Sequence, residues 1–197
     1  MAQSKNDGNV GFYLPKKRFI IPIKDFHVPK KLFSIFKKQK FEFKINTNFH
    51  EVIYQCQTVD RKTKGTWIND IILNTYLELH KIQKCHSVEC YENNKIVGGL
   101  YGVHLGSCFF GESMFSLRSN ASKLTLLYLI SILIKNEFKL LDSQFYNPHL
   151  IQFGAKEIKN ETYEILLRKY LKKKNKFENI SKFQDALSIL QSISHKS

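Results

Sequence analysis

The sequence predicts an α+β fold, a three-layer α/β/α sandwich around a mixed, largely antiparallel sheet. Three observations carry this. Phe41, Phe43 and Ile45 alternate with Glu42 and Lys44, the period of a half-buried strand. Residues 87–92 and 95–103 read as a β-hairpin that turns at Asn93-Asn94. Residues 124–134 are apolar apart from Thr125 and Ser131, so a helix there needs cover on both sides.

The other elements follow in chain order. Residues 1–11 read as flexible. Residues 12–40 are basic and punctuated by Pro15, Pro22 and Pro29, which predicts short strands and loops and then a small helix near 30–37. Asn48 can cap a helix to about Gln57, with Phe49, Val52, Ile53 and Cys56 on one face. Thr66 can cap the next helix, to about Lys84, with Ile68, Ile71, Ile72, Tyr76 and Leu79 at helical spacing. After the hairpin come a strand at 107–110, the apolar helix at 121–137, a short strand at 139–142 and a short helix or turn at 148–153. Two amphipathic helices near 160–173 and 181–193 complete the order.

A chain of 197 residues suffices for one compact domain plus an extension. With 43% hydrophobic and 13% aromatic residues, wholesale disorder is excluded. Lys and Arg number 31 against 17 Asp and Glu, a formal net charge of +14. Such a charge suits a polyanion or an anionic surface, or equally a lysine-rich solvated face. Cys56, Cys85, Cys90 and Cys108 form no CxxC pair and read as reduced thiols of a cytoplasmic protein. Cys85, His86 and Cys90 have the wrong spacing for a zinc knuckle and lack a fourth ligand, so no metal is expected. The apolar stretch at 124–134 falls short of the ~20 residues that span a bilayer. The opening MAQSKNDGN lacks the apolar core of a signal peptide.

The densest chemistry lies in GGLYGVHLGSCFFGESMFS, residues 98–116, followed by ASK at 121–123 and LDSQ at 141–144. Gly98, Gly99, Gly102, Gly106 and Gly111 suggest either a sheet opened to admit a ligand or tight turns alone. Glu112, placed where the chain leaves a strand, reads as a binding or acid–base carboxylate or as a solvated turn acid. Asp142 and Gln144 stand two apart near the end of a strand, so both can face one cleft; a turn or cap is the other reading of Asp142.

These segments, with GTWI at 65–68, HSVECYENNKIVGGLYGV at 86–103 and LDSQFYNPHL at 141–150, match leucyl/phenylalanyl-tRNA–protein transferases in order and spacing. The chain resembles that family from about Phe12 to Leu171. The resemblance implies an acyl-CoA N-acyltransferase-like (GNAT-like) fold, with a basic amino-terminal extension at 1–40 and the catalytic domain with its C-terminal helices at 41–197. It implies an aminoacyltransferase that moves Leu or Phe, and Met less, from aminoacyl-tRNA to the N-terminal Arg or Lys of acceptor proteins. The product carries an N-end-rule degradation signal. The aminoacyl ester is already activated, so no ATP, metal, CoA or other cofactor is implied. A cytoplasmic monomer with no membrane partner is expected.

Site residues carry over in the same way. Asp142 and Gln144 match the proposed acid–base element, with proton transfer through the substrate as the other reading. Glu112 and Asn147 match active-site binding positions, and Trp67 a residue near the terminal adenosine. Leu100, Phe109, Met114, Leu126, Leu129 and Leu133 match the apolar pocket for the donated side chain. Glu112 and Asp142 are the carboxylates expected to meet the acceptor's cation. Lys30, Lys31, Lys37, Lys38 and Lys40 match a basic helix that meets the tRNA acceptor stem. There are departures. By the resemblance, the chain is expected to lack most of the family's amino-terminal domain, its match starting near Tyr13-Leu14-Pro15; Ser143 stands for a Cys, and Lys159-Asn160 for Pro-Arg. The alternatives are a CoA-dependent N-acetyltransferase and a non-catalytic tRNA-binding module. The first is disfavoured because SLRSNASK, before the apolar helix, has no glycine to cradle a pyrophosphate.

Overall fold

The structure, a computed structural model, describes residues 2–4, 10–12, 14–58 and 68–194. Its main sheet has seven strands in the order β4 (Glu42–Ile45), β5 (Cys85–Glu92), β6 (Lys95–Leu105), β7 (Cys108–Ser116), β8 (Leu140–Gln144), β3 (Lys17–Ile21) and β9 (Lys156–Lys159). Strands β7 and β8 pair in parallel, and the other neighbours are antiparallel. A separate ribbon pairs β1 (Ala2–Ser4) with β2 (Val10–Phe12). The sheet is thus mixed and largely antiparallel, as expected.

Local chemistry accounts for the connections. Asn93 and Asn94 both take positive φ, 50° and 62°, which suits the tight β5–β6 hairpin. Helix α4 (Ala121–Lys135) carries the chain from β7 to β8, the crossover that a parallel pair requires. Side-chain alternation then divides the core. Leu100, Phe109 and Leu141 face α4, together with residues of α1 (Lys30–Lys37) and α7 (Phe183–Ser194). Cys85, Tyr101 and Phe115 point the other way, toward α2 (Phe49–Thr58) and α3 (Asp70–Lys81). Ile20, Cys108 and Leu140 meet Tyr163 of α6 (Asn160–Leu171). Helix α4 is buried almost all round because it touches the sheet on one side and α1 and α7 on the other.

Several boundaries differ from expectation. Helix α3 begins later, capped by Asn69, whose side chain accepts from Ile72 N at 2.9 Å; Thr66 lies outside the described residues. Strand β7 runs on to Ser116, so Glu112 lies within a strand and not where the chain leaves one. Strand β9 was not foreseen, since Lys156–Lys159 has little apolar alternation, and its pairing with β3 is what makes it a strand. Within residues 1–40, β3 stands between β8 and β9 and α1 packs on α4. All four cysteines are buried, and none is in a disulfide.

Candidate active site

The site forms where the sheet splits. Strands β7 and β8 pair only at Cys108↔Leu140, Phe109↔Leu141 and Phe110↔Asp142. Beyond that point β7 stays with β6 and β8 with β3, so the two strands diverge. A cavity of about 360 Å³ opens in the gap, with Ile21, Leu100, Met114, Leu126, Leu129 and Leu141 as its apolar wall. Glu112, Asp142 and Asn147 supply polar atoms to its lining. Phe109 and Leu133 are fully buried in the core and do not line it. Trp67 lies outside the described residues.

Glu112 is delivered by a β-bulge. Tyr101 pairs with Ser113 and Gly102 with Gly111, which leaves Glu112 as the extra residue. A bulge re-aims the side chain it carries. Of the five glycines, Gly111 alone has ordinary room where a Cβ would stand; Gly98, Gly99 and Gly102 admit Ala121, Phe115 and Phe109 closely, and Gly106 turns the β6–β7 hairpin at φ 61°.

Asp142 has no solvent exposure. Arg18 Nη2 donates to its Oδ2, and so does the Tyr163 hydroxyl, at 2.7 Å. Its Oδ1 accepts from the backbone N–H of Gln144 at 2.8 Å. Gln144 sits at φ 71°, which breaks the strand alternation that would have aimed both side chains alike. Its Nε2 donates instead across the gap to the Gly111 carbonyl at 3.3 Å, and its amide also hydrogen-bonds Glu112. Asn147 Oδ1 accepts from His149 N at 3.0 Å and caps the short helix α5 (Pro148–Ile151).

Residues 20–168 match the family model described as leucyl/phenylalanyl-tRNA protein transferase. The chain belongs to that family. The transferase of Phenylobacterium zucineum (strain HLK1) is 44% identical over 163 residues, 83% of this chain and 74% of that protein. The transferase of Prosthecochloris aestuarii (strain DSM 271 / SK 413) is 41% identical over 172 residues, 87% of this chain and 89% of its own length. In fold alone, the chain is similar to a functionally unknown conserved protein from Staphylococcus epidermidis ATCC 12228. That match has a TM-score of 0.50 at 8% identity and covers 73% of this chain and 57% of the other. Family membership makes this chain a leucyl/phenylalanyl-tRNA–protein transferase, an enzyme with an aminoacyl-tRNA donor and a protein acceptor. It decides against the acetyltransferase and against the passive tRNA-binding module.

The transferase surrounds Glu112 with an unusual environment. Burial raises its carboxyl above the ordinary range; hydrogen bonds from Gln144 and Tyr76 oppose the rise, and the charge of Asp142 adds to it. Burial also raises the Tyr76 phenol, helped by the charge of Glu112. Burial pushes the Cys108 thiol up to about 12, with Asp142 adding to it. For Arg18, burial works against the charge, but Asp142 and Tyr163 outweigh it and the guanidinium is held protonated.

Sequence reasoning missed Arg18, Tyr163 and Tyr76. Arg18 follows Lys16 and Lys17 and passes for surface charge; the available signal was the apolar run Phe19-Ile20-Ile21 directly after it. Tyr163 looks like any aromatic on an amphipathic helix. Away from the cavity, Lys30, Lys31, Lys37 and Lys38 are exposed on and after α1, while Leu32 and Phe36 hold its other face. Lys40 is ion-paired with Glu92 at 2.8 Å. No helix among the described residues is long and apolar enough to cross a membrane.

Proposed function

We propose that the enzyme moves Leu, Phe or Met from charged tRNA to proteins that begin with Arg or Lys, in the cytoplasm, on a GNAT-like three-layer α/β/α scaffold. The observation that carries this reading is the bridge from Gln144 across the split sheet to Gly111 and Glu112, beside an apolar cavity. Unbranched Met114 and the leucines Leu100, Leu126 and Leu129 suit Leu, Phe and Met and disfavour β-branched side chains by shape. Asp142 is already paired with the Arg18 cation, whereas Gln144 and Tyr76 give Glu112 only neutral donors, so Glu112 is the carboxylate assigned to the acceptor's cation.

The reaction is aminolysis of the ester at the tRNA 3′ end. A protein α-amine has a pKa near ~7.7–8.0, so a useful neutral fraction exists at cytoplasmic pH. The amine attacks the ester carbonyl, loses a proton, and the ribose oxygen leaves with a proton. Gln144, with Asp142 behind it, is the acid–base element that orients the amine and eases its proton loss. Asn147 and Trp67 complete substrate binding. Ideal positioning contributes up to ~7–11 kcal/mol to such a step. The exposed lysines of α1 bind the acceptor stem as point charges.

The test follows labelled Leu-tRNA or Phe-tRNA with peptides beginning with Arg or with Ala. Transfer confined to the Arg peptide, and reduced in Asp142→Asn and Gln144→Ala, is the expected result. Equal transfer to both peptides would remove the acceptor rule, and an active Gln144→Ala would remove the role of the bridge.

A further inference from the structure

We infer that Arg18 and Tyr163 are positioning residues for transfer: together they lock the Asp142 carboxylate, and through it the left-handed turn at Gln144 that holds its amide on Glu112. The inference rests on the reading of Gln144 and Glu112 given above. Neither Arg18 nor Tyr163 lines the cavity.

Three elements distant in the chain meet at this point. Arg18 comes from β3, Asp142 from β8 and Tyr163 from α6, and all three side chains are buried. The Arg18 guanidinium carbon sits 4.6 Å from the centre of the Tyr163 ring, and Nη2 lies 3.3 Å from the Tyr163 hydroxyl. The tyrosine therefore does two things. Its ring packs the guanidinium, and its hydroxyl donates to Asp142.

Stability alone does not call for this cluster, because apolar residues of similar volume commonly replace buried ion pairs without loss. What the charged cluster adds is direction. Oδ2 takes both side-chain donors, so Oδ1 is left to the backbone N–H of Gln144. Gln144 bears a side chain at φ 71°, a conformation that persists where the surroundings over-determine it. The 2.8 Å bond to Asp142 Oδ1 is that restraint. From this turn the Gln144 amide reaches Gly111 O and Glu112. Loosening Oδ2 frees the carboxylate to rotate, and the amide loses its aim.

Tyr163→Phe is the sharpest variant, since it removes one hydroxyl and keeps the ring against Arg18. Transfer kinetics to an Arg-initiated peptide and thermal melting are measured on the full chain. A displacement of about 1 Å at reacting groups can cost ~100-fold, so kcat should fall roughly 10- to 100-fold with KM for aminoacyl-tRNA near wild type. Arg18→Lys should retain more kcat than Arg18→Met, because it keeps the charge but not the fork. In a Gln144→Ala background, Tyr163→Phe should cost little more, because its effect travels through Gln144. Should Gln144→Ala transfer at the wild-type rate, the reading of Gln144 falls and takes this inference with it. Should Gln144→Ala be impaired while Tyr163→Phe merely melts earlier at full kcat, or should the two losses multiply, this inference alone is overturned.

Discussion

A Cβ on Gly102 would lie 2.3 Å from the carbonyl oxygen of Phe110. That oxygen belongs to the backbone of β7 and has no flexible side chain to yield. The contact arises because Gly102 stands opposite the bulge that delivers Glu112. Gly102→Ala must therefore shift the strand or flatten the bulge. Overpacking of this kind costs about 1–3 kcal/mol. We expect a lower urea midpoint and a larger proportional loss of transfer activity. An alanine variant with wild-type activity would show that the bulge has slack.

The cavity wall predicts a change in donor choice. Met114 lines the cavity from β7 and is only half-buried, so a bulkier residue there narrows the space with little strain in the core. Met114→Phe should reduce transfer of Phe more than of Leu. Pocket discrimination runs at about 1–3 kcal/mol per methylene, so the Leu-to-Phe ratio of kcat/KM should rise on the order of tenfold. Competition between the two charged tRNAs reads the ratio directly, and an unchanged ratio would mean that Met114 is not in contact with the donated side chain.

How much of this was legible in the sequence depends on the range of the interaction. The Asn93-Asn94 hairpin, helix α1 at Lys30–Lys37 and the buried α4 are local patterns and were readable. Leu100, Met114, Leu126 and Leu129 were singled out through the family resemblance and not by periodicity; they line the cavity, and its role as the donor pocket is the proposal made above. Phe109 shares the α4 side of the sheet yet sits where β7 and β8 are still paired, so it is core. The insertion of β3 beside β8, and β9 beyond it, depends on partners far along the chain, which no window of sequence contains. Arg18 and Tyr163 were hidden for that reason. The left-handed turn at Gln144 was hidden for another: it is held by a side chain, not by a glycine.

The lysines on and after α1 differ in their described ion-pair partners. Lys30, Lys31 and Lys38 are exposed, whereas Lys40 is ion-paired with Glu92. Removing one lysine from a phosphate should reduce the slope of log affinity against log salt by about 1. Lys31→Gln should weaken aminoacyl-tRNA binding and flatten that slope. Lys40→Gln should do less, since Glu92 already neutralises part of its charge. Binding isotherms over a salt series decide it, and equal slopes in all variants would move the tRNA away from α1.

Acid should destabilise the fold through a histidine relay on β5 and β6. His104 Nε2 lies 2.9 Å from the Asn175 carbonyl, which can only accept, so that nitrogen carries a proton. In the neutral ring His104 Nδ1 then accepts from His86 Nε2 at 3.2 Å. His86 Nδ1 in turn accepts from Asn46 Nδ2 at 3.0 Å, and Asn46 Oδ1 accepts from Ser87 N at 3.1 Å. Every position is consistent with two neutral rings; a backbone hydrogen bond to Gln83 favours the charged His86 but is outweighed by burial. Burial, with the charges of His104 and His80 adding, lowers His86 to about 3; burial lowers His104 as well. The unfolded chain binds these protons near ~6.5. Between those values the unfolded state holds more protons than the folded one, so stability rises with pH. It is full above about 6.5 and is lost as pH falls toward 3. One such proton gives a slope of about 1.4 kcal/mol per pH unit. Urea unfolding of wild type and His86→Gln from pH 7.5 to 4.5, about the span in which the unfolded histidine takes up its proton, should show a shallower acid slope in the variant. Parallel slopes would mean that His86 is protonated in the folded chain and that the relay does not run through two neutral rings.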